Sequence, residues 1–276
     1  MMRSLYSGVT GLRSHQTKMD VIGNNIANVN TIGYKSSRVV FEDIFSQTIA
    51  SATTPTANSG GTNPQQIGLG VQLSTIDVSF TTAAAPYTGN PLDLAIDGDG
   101  FFVIREGTDG RTFTRAGNFK LDSKNFLVDS NGNYVLGCGA NETLAEDGSN
   151  LKPIEIDPKY TDISINRNGQ VVGIDSTTNT TTVIAQIAIA TFSNPNGLEK
   201  TGGNSYRETG NSGNPVFRTP GTGSAGSINP SSLEMSNVDL TSEFTDMIVT
   251  QRGFQANSRI ITTTDEMLEE LVNMVR

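Results

Sequence analysis

The chain has 276 residues, of which 35% are apolar and 17% charged, both low shares for a globular protein. The remainder is small and polar, with 33 Thr, 25 Asn, 25 Ser and 29 Gly, a mixture that suits strands, turns and long loops. A net charge of −9 argues against a nucleic-acid partner, the single Cys excludes an internal disulfide, and the single His excludes a His-based metal site or a Ser-His relay.

The amino terminus, Met1-Met2-Arg3-Ser4-Leu5-Tyr6-Ser7-Gly8, is positively charged but lacks the apolar stretch and cleavage site of an ordinary secretory signal. No run approaches the ~18 apolar residues of a spanning helix, so no membrane insertion is expected. From Arg3 to about Asn30, Leu5, Leu12, Met19 and Ile26 recur at heptad spacing, and Gly8, His15, Ile22 and Val29 form a second row. This predicts an amphipathic helix whose seam is interrupted by His15 and the glycines.

Residues 50–70 are rich in Gly, Ser, Thr, Asn and Pro and read as a long connection. Between about Val71 and Phe192 the period changes to that of strands. The run Leu92 to Ile96 leads through Asp97-Gly98-Asp99-Gly100 into Phe101-Phe102-Val103-Ile104. Phe126 to Val128 turns through Asp129-Ser130-Asn131-Gly132 into Tyr134-Val135-Leu136, and Ile163 to Ile165 through Arg167-Asn168-Gly169 into Gln170-Val171-Val172. Asn-Gly and Asp-Gly between apolar runs are strong hairpin signals, so an antiparallel β domain is expected. Residues 202–230 form a second Gly- and Ser-rich connection.

At the carboxyl end, Leu240, Met247, Phe254, Ile261, Leu268 and Val275 recur at heptad spacing, with Asp239 or Thr241 as the helix cap. Residues 1–38 hold five bases against one acid, and residues 234–276 hold eight acids against three bases. Two seamed helices of opposite charge are expected to pack on each other.

Candidate chemistry is sparse. Gly221-Thr222-Gly223-Ser224-Ala225-Gly226 fits the dinucleotide pattern but lies between Pro220 and Pro230, with no strand before it and no helix after it. Asp97-Gly98-Asp99-Gly100 and Asp129-Ser130-Asn131-Gly132 have some oxygen ligands of a calcium loop, but the second has Tyr134 where the loop needs Gly and neither has a Glu at the twelfth position, so turn chemistry accounts for both. Cys138, in Gly137-Cys138-Gly139, reads as a partly exposed loop thiol, and His15 as a polar seam residue. No catalytic, cofactor or metal residues are assigned, and no enzyme activity is expected. A secreted calcium- or glycan-binding β protein is the remote alternative; it would act as a stable monomer.

The run Asn24-Asn25-Ile26-Ala27-Asn28-Val29-Asn30-Thr31-Ile32-Gly33-Tyr34-Lys35 resembles the amino-terminal signature of bacterial flagellar rod and hook proteins. Ser236-Asn237-Val238-Asp239-Leu240, with Met247, Gln251, Arg252, Phe254, Gln255, Ala256 and Asn257, resembles their carboxyl-terminal signature, although Phe254 stands where Tyr is commoner. The segment from Leu92 to Phe102 resembles the opening of the family's β domain.

The resemblance implies an α+β fold. Residues 1–34 and 240–276 would form a coiled-coil inner layer, 35–72 and 203–239 extended connectors, and 73–202 a central antiparallel β domain. It also implies a polymerisation interface of Leu5, Leu12, Met19, Ile22, Asn24, Asn25, Ile26, Asn28, Val29, Leu240, Met247, Gln251, Phe254, Asn257, Ile261, Leu268, Leu271 and Val275. Residues 60–70 and 238–244 look more like the short hook proteins of Gram-positive-type flagella, so a hook subunit is expected, with the distal rod protein as the alternative. The implied partners are copies of itself, the distal rod protein, the hook cap, the hook–filament junction proteins, and the type III export apparatus with its chaperones. The implied place is the extracellular flagellum, reached without a cleaved signal peptide. Some hook proteins of the family are cross-linked between Cys and Lys of neighbours, a role that would fall here to Cys138.

Overall fold

The computed structural model describes residues 2–55, 60–107, 110–140, 142, 144–176 and 180–274. The chain forms two compact units: Met1–Ala27 with Ser37–Val78 and Asp239–Arg276, and Asn28–Ser36 with Ser79–Val238. The first carries the helices and the second the β domain, an α+β arrangement.

In the helical unit, α1 spans Met2–Ala27 and α2 spans Leu240–Met274. The cap of α2 falls on Asp239, whose Oδ1 accepts the Thr241 N–H at 2.9 Å, while Thr241 lies inside the helix. Residues 35–72, expected as a connector, are largely extended but hydrogen-bonded. Strand β1 (Ser37–Asp43) is followed by β2 (Ser46–Ala50), β3 (Gln65–Gly68) and β4 (Val71–Val78). β1 pairs antiparallel with β4, and β2 with β3, giving a nested hairpin continued by a Thr53–Thr62 bridge. β2 and β3 are exposed on both faces. They therefore lack the alternation of apolar and polar residues that marks a half-buried strand in sequence.

The β unit begins with β5 (Leu94–Asp97), β6 (Phe101–Glu106), β7 (Gly110–Thr114), β8 (Lys120–Leu121) and β9 (Leu127–Val128). It continues through β10 (Tyr134–Gly139), β11 (Lys152–Pro153), β12 (Tyr160–Ile165), β13 (Gln170–Asp175), β14 (Thr181–Ile187) and β15 (Ile189–Thr191). β16 (Glu199–Gly202) follows, and residues 203–239, expected as a connector, contribute three whole strands that close the unit: β17 (Ser205–Arg207), β18 (Val216–Arg218) and β19 (Ser227–Pro230). The main sheet runs β12-β13-β14-β10-β6-β7-β17-β16, all antiparallel.

The expected hairpins at Asn131-Gly132 and Asn168-Gly169 are present as β9–β10 and β12–β13. Asp97-Gly98-Asp99-Gly100 is different. It joins two strands that do not pair with each other: β5 takes β19, and β6 takes β7, β10 and β15. Gly98 and Gly100 have φ of 112° and 135°, values open to glycine, so the four residues redirect the chain instead of closing a hairpin. Cys138 is also placed differently from expectation. It lies in β10 opposite Gln186 and is buried, because β10 is an interior strand of the sheet.

The sheet is covered on both faces. Phe101 and Val103 of β6 join Phe113, Leu136, Ala188, Ala190 and Phe217 in one cluster, whereas Phe102 and Ile104 join Leu127, Val135, Ile187 and Ile189 in another. A strand buried on both sides reads as a continuous apolar run, which explains the sequence at 101–104. Every member of both clusters belongs to the β unit. With about 1.5–3 kcal/mol per large buried side chain, this unit has the core it needs.

Candidate assembly interface

The helical unit is built on a different principle. The two helices run antiparallel, with Lys18 3.6 Å from Asp246 and Asn25 bonded to Glu243. Where they meet, most of the residues are small or polar. A methyl group added at Gly11 would lie 2.7 Å from Asn257 Nδ2, and one at Gly253 would lie 2.7 Å from the His15 ring. One at Gly8 would lie 3.3 Å from Ile261. Ser14, Thr250 and Thr264 are also buried. Among the described residues, Ile22 is the one buried apolar side chain of this unit.

His15 sits edge-on to Phe41 with ring centroids 6.2 Å apart, and its Nδ1 is buried without a hydrogen-bond partner. Burial, and secondarily the Lys18 ammonium, pull its pKa below the ordinary 6.5. Asn25 fastens α1 to its surroundings. Its Oδ1 accepts the Ser37 N–H at 3.0 Å, and its Nδ2 donates to Ser37 O and Glu243 Oε1, each at 2.9 Å. Burial raises the Glu243 pKa, partly offset by the Asn25 bond.

This seam differs from the apolar rows read in the sequence. Of those rows, Gly8 and His15 face α2 and Ile22 is buried, but Leu5, Leu12, Met19 and Ile26 are half-buried. Val29 and Asn28 follow the helix and are half-buried, and Asn24 is exposed. Asn25, expected at the surface of assembly, is committed inside the chain. On α2, Met247, Asn257, Ile261 and Leu268 are half-buried, while Leu240, Gln251, Phe254 and Leu271 are exposed. Val275 lies outside the described residues. The glycines and threonines of the real seam carry little hydropathy, so the heptad signal pointed past them to the flanking apolar residues.

The consequence is a large unpartnered apolar surface. Of the twenty large apolar side chains that are exposed among the described residues, seventeen belong to the helical unit. Along α2 they include Phe244, Ile248, Val249, Phe254, Ile260, Met267, Leu271, Val272 and Met274, with Val249 at 59% and Val272 at 66% exposure. Tyr6 and Val9 extend the surface on α1, and Phe45, Ile49, Ile67, Leu73 and Ile76 on the hairpin. Isolated exposed apolar residues are ordinary; a concentration of this kind in a unit with almost no core marks a surface that other protein covers.

No group of three or more His, Cys, Asp or Glu among the described residues comes together as a metal site. Gly221 to Gly226 form a turn closed by the Gly221 N–H to Gly226 O bond, directly followed by β19. Burial and Glu142 push the Cys138 thiol above its ordinary pKa, which opposes the thiolate that cross-linking chemistry uses.

Three family profiles match the chain: flagella basal body rod protein over residues 5–35, the flagellar hook protein FlgE/F/G D1 domain over 95–173, and the flagellar basal body rod FlgEFG protein C-terminal region over 229–274. The chain is 52% identical to the flagellar basal-body rod protein FlgG of Bacillus subtilis (strain 168), covering 100% of both chains. It is 41% identical to FlgG of Agrobacterium fabrum, over 96% of this chain and 97% of the relative. The flagellar hook protein FlgE of Borreliella burgdorferi is 31% identical in an alignment of 443 positions that covers 99% of this chain and 100% of the relative. The expected hook identity thus has less support than its alternative: rod proteins align end to end, and the hook alignment needs long gaps.

Proposed function

The chain belongs to the family of flagellar basal-body rod and hook proteins, structural components of the flagellum, and we propose that within it this chain is a subunit of the distal rod. The end-to-end likeness to rod proteins supports the rod reading over the hook. The role is mechanical and needs no catalytic step or cofactor. The partners are copies of the same chain, the other axial proteins of the flagellum, and the type III apparatus that exports it.

The observation that carries this reading is the imbalance of the helical unit: one buried apolar side chain against seventeen exposed large ones among the described residues. In a helical tube, α1 and α2 of neighbouring copies pack against one another and cover that surface as an inner layer. The close, small-residue seam lets the two helices of one chain form a thin pair, with apolar faces left for neighbours. Because the pair buries so little itself, its order depends on assembly: the ends are loosely helical in a free subunit and become fixed when copies surround them. Of the residues read as a polymerisation interface, Leu240, Phe254 and Leu271 are the exposed apolar members that such packing would bury.

Sedimentation and electron microscopy of concentrated protein test assembly. Long tubes or ordered helical arrays are expected; a monomer at every concentration contradicts the reading. Labelling the chain in isolated basal bodies separates the two axial positions, with label on the rod expected and label confined to the hook against it.

A further inference from the structure

Inside the β unit, one buried carboxylate holds together stretches that are far apart in the chain. Glu234 is 1% exposed; its Oε1 accepts from Lys35 Nζ at 2.6 Å and from the Ala83 N–H at 3.3 Å, and its Oε2 from Arg115 Nη1 at 3.4 Å. The Lys35 side chain is wholly buried and also donates to Thr81 O at 2.7 Å. Arg115 is equally enclosed, and its Nη2 donates to Gly98 O at 2.9 Å.

The backbone around this knot is tied just as closely. The Gly33 N–H donates to Glu234 O at 2.9 Å, and the Met235 N–H to Ala84 O at 3.0 Å. Asn237 accepts from the Ser36 N–H at 2.8 Å and donates to Ser79 O at 2.8 Å. Lys200 and Asn204 donate to Lys35 O and Ile32 O. Gly33 has φ of 68°, and a methyl group there would lie 2.6 Å from Ala116 N, so the segment lies flat against the stretch that carries Arg115.

A buried ion group is a poor stabiliser compared with apolar residues of the same shape, but removing one partner is costly because the others remain charged and dry. What such a group supplies is position. Here each cation reaches a backbone carbonyl as well as Glu234, so a wrong register of any one segment leaves a buried charge unmet.

We infer that the Lys35–Glu234–Arg115 knot is a conformational device that makes the roots of both terminal arms, residues 28–36 and 231–238, fold as part of the β unit. The border between what is fixed in a free subunit and what depends on neighbours then falls at these roots. Disorder of either helix stops there and does not spread into the sheet. It rests on the reading that the helices are loosely ordered in a free subunit, and not on which axial structure the chain builds.

Amide exchange on the full chain in dilute solution tests it, read by mass spectrometry or NMR. In the unmodified protein, the amides of Gly33, Ser36, Ser79 and Met235 should exchange as slowly as those of β6. E234Q should speed exchange at these four amides by about 100-fold while β13 and β14 keep their protection. The charge-free triple variant K35M/R115M/E234L should return them to within about tenfold of the parent. Roots that exchange as fast as the helices in the parent would overturn the inference. So would an E234Q variant that leaves them slow, or one that loses protection uniformly across the sheet. If E234Q does not fold, K35M, which keeps the Arg115–Glu234 pair, supplies the same comparison, and unchanged protection of the roots then counts against the device.

Discussion

Asn25 and Gly33 show how single residues of the amino-terminal signature act. Asn25 uses both ends of its amide to join α1, the start of β1 and the first turn of α2. Asn25→Ala leaves the half-buried Ser37 backbone and Glu243 short of partners. It should cost the helical unit about 1–3 kcal/mol, measured as lost amide protection across α1 and α2 in assembled protein, where the pair is ordered. Gly33→Ala meets both an unfavourable φ and the Ala116 backbone. It should destabilise the β unit by about 2–4 kcal/mol in urea unfolding. Cys138, being buried with a raised pKa, should react with iodoacetamide at pH 7.5 at least about tenfold more slowly in the native protein than in urea.

At the scale of elements, the helix pair should respond to acid through His15. Its folded pKa is depressed, so the unfolded chain takes up the proton first as pH falls. The contribution to stability is complete above pH 6.5 and is lost progressively below it. As the chain has one histidine, its NMR titration is unambiguous: a midpoint below 6.5 is expected, and H15Q should flatten the acid side of the stability profile. On the other side of the pair, I248E and V249E alter exposed positions and should leave monomer stability within about 0.5 kcal/mol. Both should abolish sedimentable polymer.

The elements also show where sequence is informative. The end helices were legible because α2 keeps a heptad rhythm for its full length, and β9–β10 and β12–β13 because Asn-Gly turns lie between apolar runs. The seam was legible only in part: the row of Gly8 and His15 faces α2 as read, but Gly11, Gly253 and Thr250 matter through their smallness and carry no apolar signal. β1 to β3 read as a linker because neither of their faces is fully covered, while β4 falls in the stretch read as strand. β17 and β19 were missed because they pair with β7 and β5, strands from the opposite end of the unit, across Gly-rich intervals that resemble loops. The knot at Glu234 has no local pattern at all: its three charges come from residues 35, 115 and 234.

For the whole molecule, the two units divide the work between self-sufficiency and dependence. The β unit holds two apolar clusters and is complete alone; the helical unit spends its apolar residues on its outside. Assembly and order of the helices are therefore one process. Hydroxyl-radical footprinting of dilute and assembled protein reads this directly at side chains. Phe244, Phe254, Met267 and Met274 should react readily in the dilute chain and become at least about tenfold protected on assembly, while Tyr87 of the β unit serves as the exposed reference. Equal reactivity of those four residues in both samples would show that copies meet elsewhere, and the account would fail.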